Sequence, residues 1–252
     1  MSATAEAILE NLRVVANERS IRAARSGLSE KVDALKAFQQ RRFAHTYADL
    51  LATSRYGPAA RFFLDELYGP SDFTRRDTQF ARVVPGLVRL FPSEVVQTVS
   101  TLGELHALSE RLDTIMATEM DIGRVTPRQY IAAWQRTDHS TERETQIRLT
   151  LDVAARLDHF TRKILLRNSL RLMRGPARAA GLAELQHFLE CGFDTFRAMD
   201  GADEFISIVS LRERALASSL FSATEEAEKS GRNSTMESAL EKLPNNAEHG
   251  DA

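Results

Sequence analysis

The sequence predicts an all-α protein: one irregular multi-helix bundle of about eight to ten helices over residues 1–222, followed by an acidic, disordered tail at 223–252. Three observations carry this. Apolar residues recur at helical spacing nearly throughout, and strand-like alternation is not sustained anywhere. Only 12 glycines and 7 prolines punctuate 252 residues, while the good helix formers Ala, Leu, Arg and Glu abound. Helix-start chemistry also recurs: Thr126-Pro127-Arg128-Gln129 and Thr141-Glu142-Arg143-Glu144 both read as capping boxes.

Taken in order, Ile8, Leu12 and Val15 form one stripe of a first helix that ends before Gly27. Ser29 is placed to cap a second, with Val32, Leu35, Phe38, Phe43, Tyr47 and Leu50 on its apolar face. Pro58 suits the first turn of a short helix that Gly69-Pro70 terminates. A fourth begins at Ser71 or Asp72 and carries Pro85, which is expected to kink it. A long helix follows Phe91-Pro92-Ser93 to about Thr118, and the two capping boxes open the next two, the second running to about Ile164. A short helix to Arg174 is broken at Gly175-Pro176, a long apolar one continues through Met199, and a last one ends near Phe221. Within the tail, Thr235–Leu243 has the pattern of a transient amphipathic helix.

Composition narrows the class. The formal net charge is -2, which gives no global pull toward nucleic acid, and no recognised DNA-binding motif occurs. A single cysteine, Cys191, excludes an intramolecular disulfide and suits a reducing compartment. The first ten residues carry acids rather than a basic start and an apolar run, so no signal peptide is expected. With no 18-residue apolar run, no membrane span is expected either. The expected setting is the cytoplasm.

The densest stretch is Tyr56-Gly-Pro-Ala-Ala-Arg61-Phe62-Phe63-Leu64-Asp65-Glu66-Leu-Tyr68-Gly-Pro70. Phe62, Phe63 and Leu64 point about 100° apart in succession, so this helix is expected to lie between layers. Arg61 and Asp65 are spaced to pair along it, and Glu66 needs a cation, with Arg75, Arg76 and Arg82 nearby in sequence. The stretch resembles the signature of a bacterial family known by its Phe-Phe-Leu-Glu-Glu-Leu-Tyr (FFLEELY) motif rather than by an activity. Asp65 replaces the motif's first Glu, keeping the charge on a shorter arm. The resemblance extends over Arg42 to Asp113 and over Met173-Arg-Gly-Pro-Ala-Arg178 with Leu185-Gln-His-Phe-Leu-Glu190. It implies a bacterial, helical, cytosolic protein and brings no catalytic residue with it.

The strongest charge signal lies between His159 and Ala183, where Arg162, Lys163, Arg167, Arg171, Arg174 and Arg178 occur with no acid among them. Arg167, Arg171 and Arg174 share a helix side, and a helix restarting at Pro176 adds free amides. Arginines in this arrangement suit phosphate or carboxylate. The leading expectation is therefore a non-catalytic binding protein whose anion site is Arg167, Arg171, Arg174 and Arg178. The alternative is a small helical enzyme with acid–base groups drawn from Arg61, Asp65, Glu66, Tyr68, Glu104 and His106. No cofactor is expected. His45/Asp49 and His187/Glu190 lack the Glu-x-x-His order of a diiron bundle, and haem ligation by His106 has only a local resemblance in its favour. Cys191 is expected to be an inert buried thiol, and Trp134 with Tyr130 part of a core.

Overall fold

A computed structural model describes residues 3–66, 73–121, 123–223 and 235–245. Thirteen helices are present among them, ten of seven residues or more, and no strand. The expected all-α class holds. α6 (Ser93–Thr118) and α8 (Ser140–Thr161) pack on each other and form the spine. α1 (Ala3–Ala24), α2 (Leu28–Thr46) and α5 (Thr74–Leu90) surround α6. α11 (Ala183–Ala198) and α12 (Asp203–Ser222) lie against α8. The short α3 (Ala48–Leu51) meets the motif helix α4 (Gly57–Glu66), which rests on α11. α7 (Pro127–Thr137) contacts α6 and α12, and α9 (Ile164–Leu172) with α10 (Arg174–Ala179) lies along α11.

Local chemistry explains most boundaries. Thr126 caps α7 as a complete box: its hydroxyl accepts from the Gln129 amide at 3.2 Å and the Gln129 side chain accepts from the Thr126 amide at 3.0 Å. The second expected box does not form. α8 starts two residues earlier, at Ser140, with His139 rather than Thr141 at the cap and no side-chain cap bond. The chain leaves α7 through Asp138 in the left-handed region (φ 46°), so Thr141 is already inside the helix. α2 likewise starts at Leu28 with Gly27 (φ 73°) as its cap, ahead of Ser29. α5 continues through Pro85 to Leu90. The Gly175-Pro176 break is also softer than expected. Both residues lie in the first turn of α10, and the Ala177 amide already donates to the Met173 carbonyl at 2.8 Å. That amide is not available to an anion.

Part of the expected tail is built into the core. Thr235–Leu240 forms α13, which packs on α7 and α12 with Ala239 and Leu243 fully enclosed. Sequence reasoning undervalued this segment because Met236, Ala239, Leu240 and Leu243 are few. They nonetheless share one helical stripe and meet a ready apolar surface of Val125, Trp134 and Leu220.

Three clusters make up the interior. One joins α1, α5 and α6 through Ile8, Phe80, Val84, Val96 and Val99. A second centres on Phe43, Tyr47, Phe63, Phe196 and Phe205. A third runs through Phe38, Met116, Tyr130, Trp134 and Leu220. The motif helix is sandwiched as its pattern predicts: Phe62 meets Phe188 of α11, while Phe63 meets Phe196 and Phe205. At Gly192 an added Cβ would stand 3.0 Å from the Phe62 ring tip, so the two helices approach closely where α11 has no side chain.

Candidate functional site: an interior chamber

Where the three clusters meet they leave a chamber of about 190 Å³. Phe80 and Val99 reach it from the first cluster, Phe43, Phe63 and Phe205 from the second, and Tyr130, Trp134 and Leu216 from the third. α6 supplies its polar edge. Residues His106, Ser109, Glu110 and Asp113 stand at i, i+3, i+4 and i+7 and so share the side turned inward.

Most of this edge is closed by internal pairs. Glu110, almost wholly buried, takes Arg22 of α1 at 2.5 Å and Lys36 of α2 at 2.7 Å on its two oxygens. Arg22 also donates Nε to Thr114 at 2.8 Å. Burial would raise the Glu110 pKa, but Lys36 and Arg22 outweigh it and hold it at about 2. Asp77 of α5 bridges Arg19 (2.6 Å) and His106 Nε2 (3.0 Å). Burial pushes the Asp77 carboxyl up, and His106 and Arg19 bring it below its ordinary value. Gln146 donates to the Ser109 hydroxyl at 2.8 Å. Arg42 donates to Glu213 at 2.6 Å, an oxygen shared with the Tyr47 hydroxyl at 2.8 Å.

The end near α7 differs. Asp113 accepts one hydrogen bond, from Gln39 at 2.9 Å, and forms no ion pair among the described residues. Burial drives its pKa up, and the pull of Lys36 in the opposite direction does not reverse this. Trp134 is 8% exposed and its indole Nε1 has no hydrogen-bond partner among the described residues. The Arg143 guanidinium lies 4.2 Å from the Trp134 ring centroid and donates to Gln146 at 3.0 Å. Tyr130, whose pKa burial raises, stacks obliquely between Phe38 and Trp134. Buried polar groups in proteins are nearly all satisfied, so this end carries polar capacity the fold does not use.

Family membership rests on a match across most of the chain. Residues 18–227 match the family described as domain of unknown function DUF8198. The chain belongs to that family. The match spans α2 to α12 and therefore every helix that lines the chamber except the first part of α1. No curated protein and no solved structure matched this DUF8198 chain.

The expected acid–base set does not assemble among the described residues. Arg61 and Asp65 are exposed on α4, and Glu104 is exposed on α6. Arg61 leans toward the amino end of its helix and donates to the Leu51 carbonyl at 3.3 Å rather than pairing with Asp65. Among the described members of the set, His106 alone lines the chamber. Tyr68 and the Glu66 side chain lie outside the described residues. Of the cations named for Glu66, Arg75 pairs with Glu184 at 3.0 Å and Arg76 stacks on Phe73 and Phe188.

The expected anion site is on the outer surface. Arg167 faces Asp194 at 3.4 Å and Arg174 pairs with Glu190 at 2.7 Å, both acids of α11. Arg171 and Arg178 are exposed. Leu172, 80% exposed, and Met173 accompany them. Cys191 is half-buried beside His187 in a shallow surface groove rather than enclosed. Among the described residues no three His, Cys, Asp or Glu side chains gather as a metal site requires, and no helix is long and apolar enough to cross a membrane.

The residues that sequence reasoning missed are Arg22, Lys36, Gln39, Arg42, Glu110, Asp113 and Arg143. A signal existed. Gln39 and Arg42 fall in the same helical stripe as Leu35, Phe38 and Phe43, and polar residues within an apolar stripe mark an interior network.

Proposed function

We propose that this protein binds a small organic molecule in the chamber between its three core clusters. The observation that carries the reading is the chamber itself, whose lining includes Asp113 and the aromatic Trp134, the latter with a buried indole Nε1 that has no hydrogen-bond partner among the described residues. An unsatisfied buried donor costs about 1–3 kcal/mol, and a ligand oxygen placed there would recover it. An apolar cavity of about 150 Å³ accepts benzene, so the chamber has room for a guest of that size or larger. Aromatic walls with a few polar groups are the usual composition of a ligand site.

Trp134 is the single tryptophan of the chain, so its emission reports the chamber directly. Native mass spectrometry of protein from its own host is expected to show a retained small molecule. Its removal and return are expected to shift Trp134 emission, and Ala217→Leu, which narrows the chamber beside Leu216, should weaken both effects. A chain without a retained mass, whose emission ignores every compound released from the host, overturns the reading. A catalytic use of the chamber would draw on His106. Conversion of the released compound on incubation, seen as a change of its mass, decides between binding and chemistry.

A second reading keeps the outer arginines. Arg171 and Arg178 are exposed beside Leu172 and Met173, which supports a further role as a non-catalytic contact for an anionic ligand or partner. The Phe62–Tyr68 motif supports a place for this chain among the bacterial FFLEELY proteins within its family, and a cytoplasmic setting accords with the single cysteine.

A further inference from the structure

The chamber borders a long stretch of one helix. Its lining follows α6 from Val99 to Asp113, fourteen residues or about 21 Å at the helical rise. The chemistry changes along that length. Around Val99 the walls are Phe80, Leu102, Leu185 and Phe188, and Leu189, 40% exposed, is the most exposed of the described lining residues. Around Asp113 they are Gln39, Tyr130, Trp134 and Arg143. Between these ends one wall is Phe43, Phe63, Phe205 and Val209. The facing wall holds His106–Asp77, Ser109–Gln146 and Glu110–Lys36, each closed on itself.

A compact polar ligand would leave the apolar arm unmatched, and an alkane would leave Trp134 unmatched. Resting on the reading of the chamber as a ligand site, we propose that its ligand is a single-chain amphiphile. Its terminal oxygen lies against Trp134 and Asp113, and its hydrocarbon chain runs along α6 toward Leu189. The closed pairs of the middle section make no demand on such a chain, which passes them against the aromatic wall.

The test uses the full-length protein freed of bound small molecules, with straight-chain carboxylates and alcohols of four to fourteen carbons, each below its micelle threshold. Trp134 emission and native mass spectrometry read the binding. Affinity is expected to rise about fourfold per methylene, then level off once the chain fills the chamber. Leu102→Phe should move that limit to shorter chains without changing the response to the shortest ones. Trp134→Phe, followed by mass spectrometry, should weaken the whole series by a common factor and leave the slope intact. A steeper response to carboxylates or to alcohols identifies the head group. If indole or benzoate binds as tightly as the best chain, or chain length has no effect, the amphiphile assignment falls while the ligand chamber stands. If no compound of either kind binds and none is retained from the host, the chamber reading falls with it.

Discussion

Arginine serves two regions of this molecule in opposite ways. From Arg162 to Arg178 it is dense in sequence and lies outside, where Arg162 reaches the buried Asp158 at 2.7 Å and Arg174 reaches Glu190 at 2.7 Å, each arginine side chain more than half exposed. Around the chamber it is sparse in sequence, with Arg22, Arg42 and Arg143 on three different helices, and each is buried. Water around an exposed arginine screens its pair and takes up the charge when the pair breaks. A buried carboxylate deprived of its cations has no such refuge. Density of charge along the chain is thus a poor guide to where charge matters, because a buried network recruits one residue from each element it joins.

The largest expected effect probes that contrast inside the chamber. Glu110→Ala leaves Arg22 and Lys36 facing each other at its buried site, and a loss of about 3–5 kcal/mol is expected. For a chain of this size that lowers Tm on the order of 10 °C, measurable by calorimetry. A loss no greater than that of a surface substitution would erase the distinction between the two regions.

Next comes the α13 contact. Leu243→Ala removes a fully enclosed side chain, for which about 2–4 kcal/mol is expected. Chemical denaturation read through Trp134, which belongs to the same cluster, checks it. An unchanged midpoint would return 235–245 to the status of a tail that adds nothing to the core.

The two buried acids of α6 sharpen the comparison within the chamber, because their pH dependences have opposite signs. Glu110 is held at about 2, below its unfolded value. Its contribution is therefore present above the ordinary carboxylate range and lost as pH falls toward 2. Asp113 is raised by burial, so the folded state binds the extra proton. Its contribution is complete below the unfolded pKa and is lost as pH rises through the raised one. Asp113→Asn is expected to flatten the loss of stability toward neutral pH, and Glu110→Gln to flatten the acid limb. Midpoints of urea unfolding across pH 2–8 separate the two.

Much of the fold was legible because its rules are local. The Thr126 box and the burial of Phe62 and Phe63, with Leu64 partly covered, follow from spacing alone. Thr141 misled because the same letters depend on the backbone of Asp138 just before them. The chamber was hidden for a different reason: its polar members come from α1, α2, α5, α6, α7, α8 and α12, and no window along the chain contains more than a few. The arginine block was legible as charge, but the acids that meet Arg167 and Arg174 sit on α11 and come into range only in the folded chain.

The smallest expected effect on stability is at that block. Replacing Arg167, Arg171, Arg174 and Arg178 together by Ala removes two pairs with α11, both at least partly in solvent, and Tm is expected to stay close to that of the parent. Binding is the informative readout. Native mass spectrometry and Trp134 emission should report the same occupancy of the chamber in the variant, since none of the four lines it. If the parent also retains a phosphorylated or acidic partner, and the variant loses it while keeping the chamber ligand, the two regions are two separate sites. If the variant retains that partner unchanged, the block is a solvated helix face whose charges answer the acids of α11, and the interior network is where this chain's arginines act.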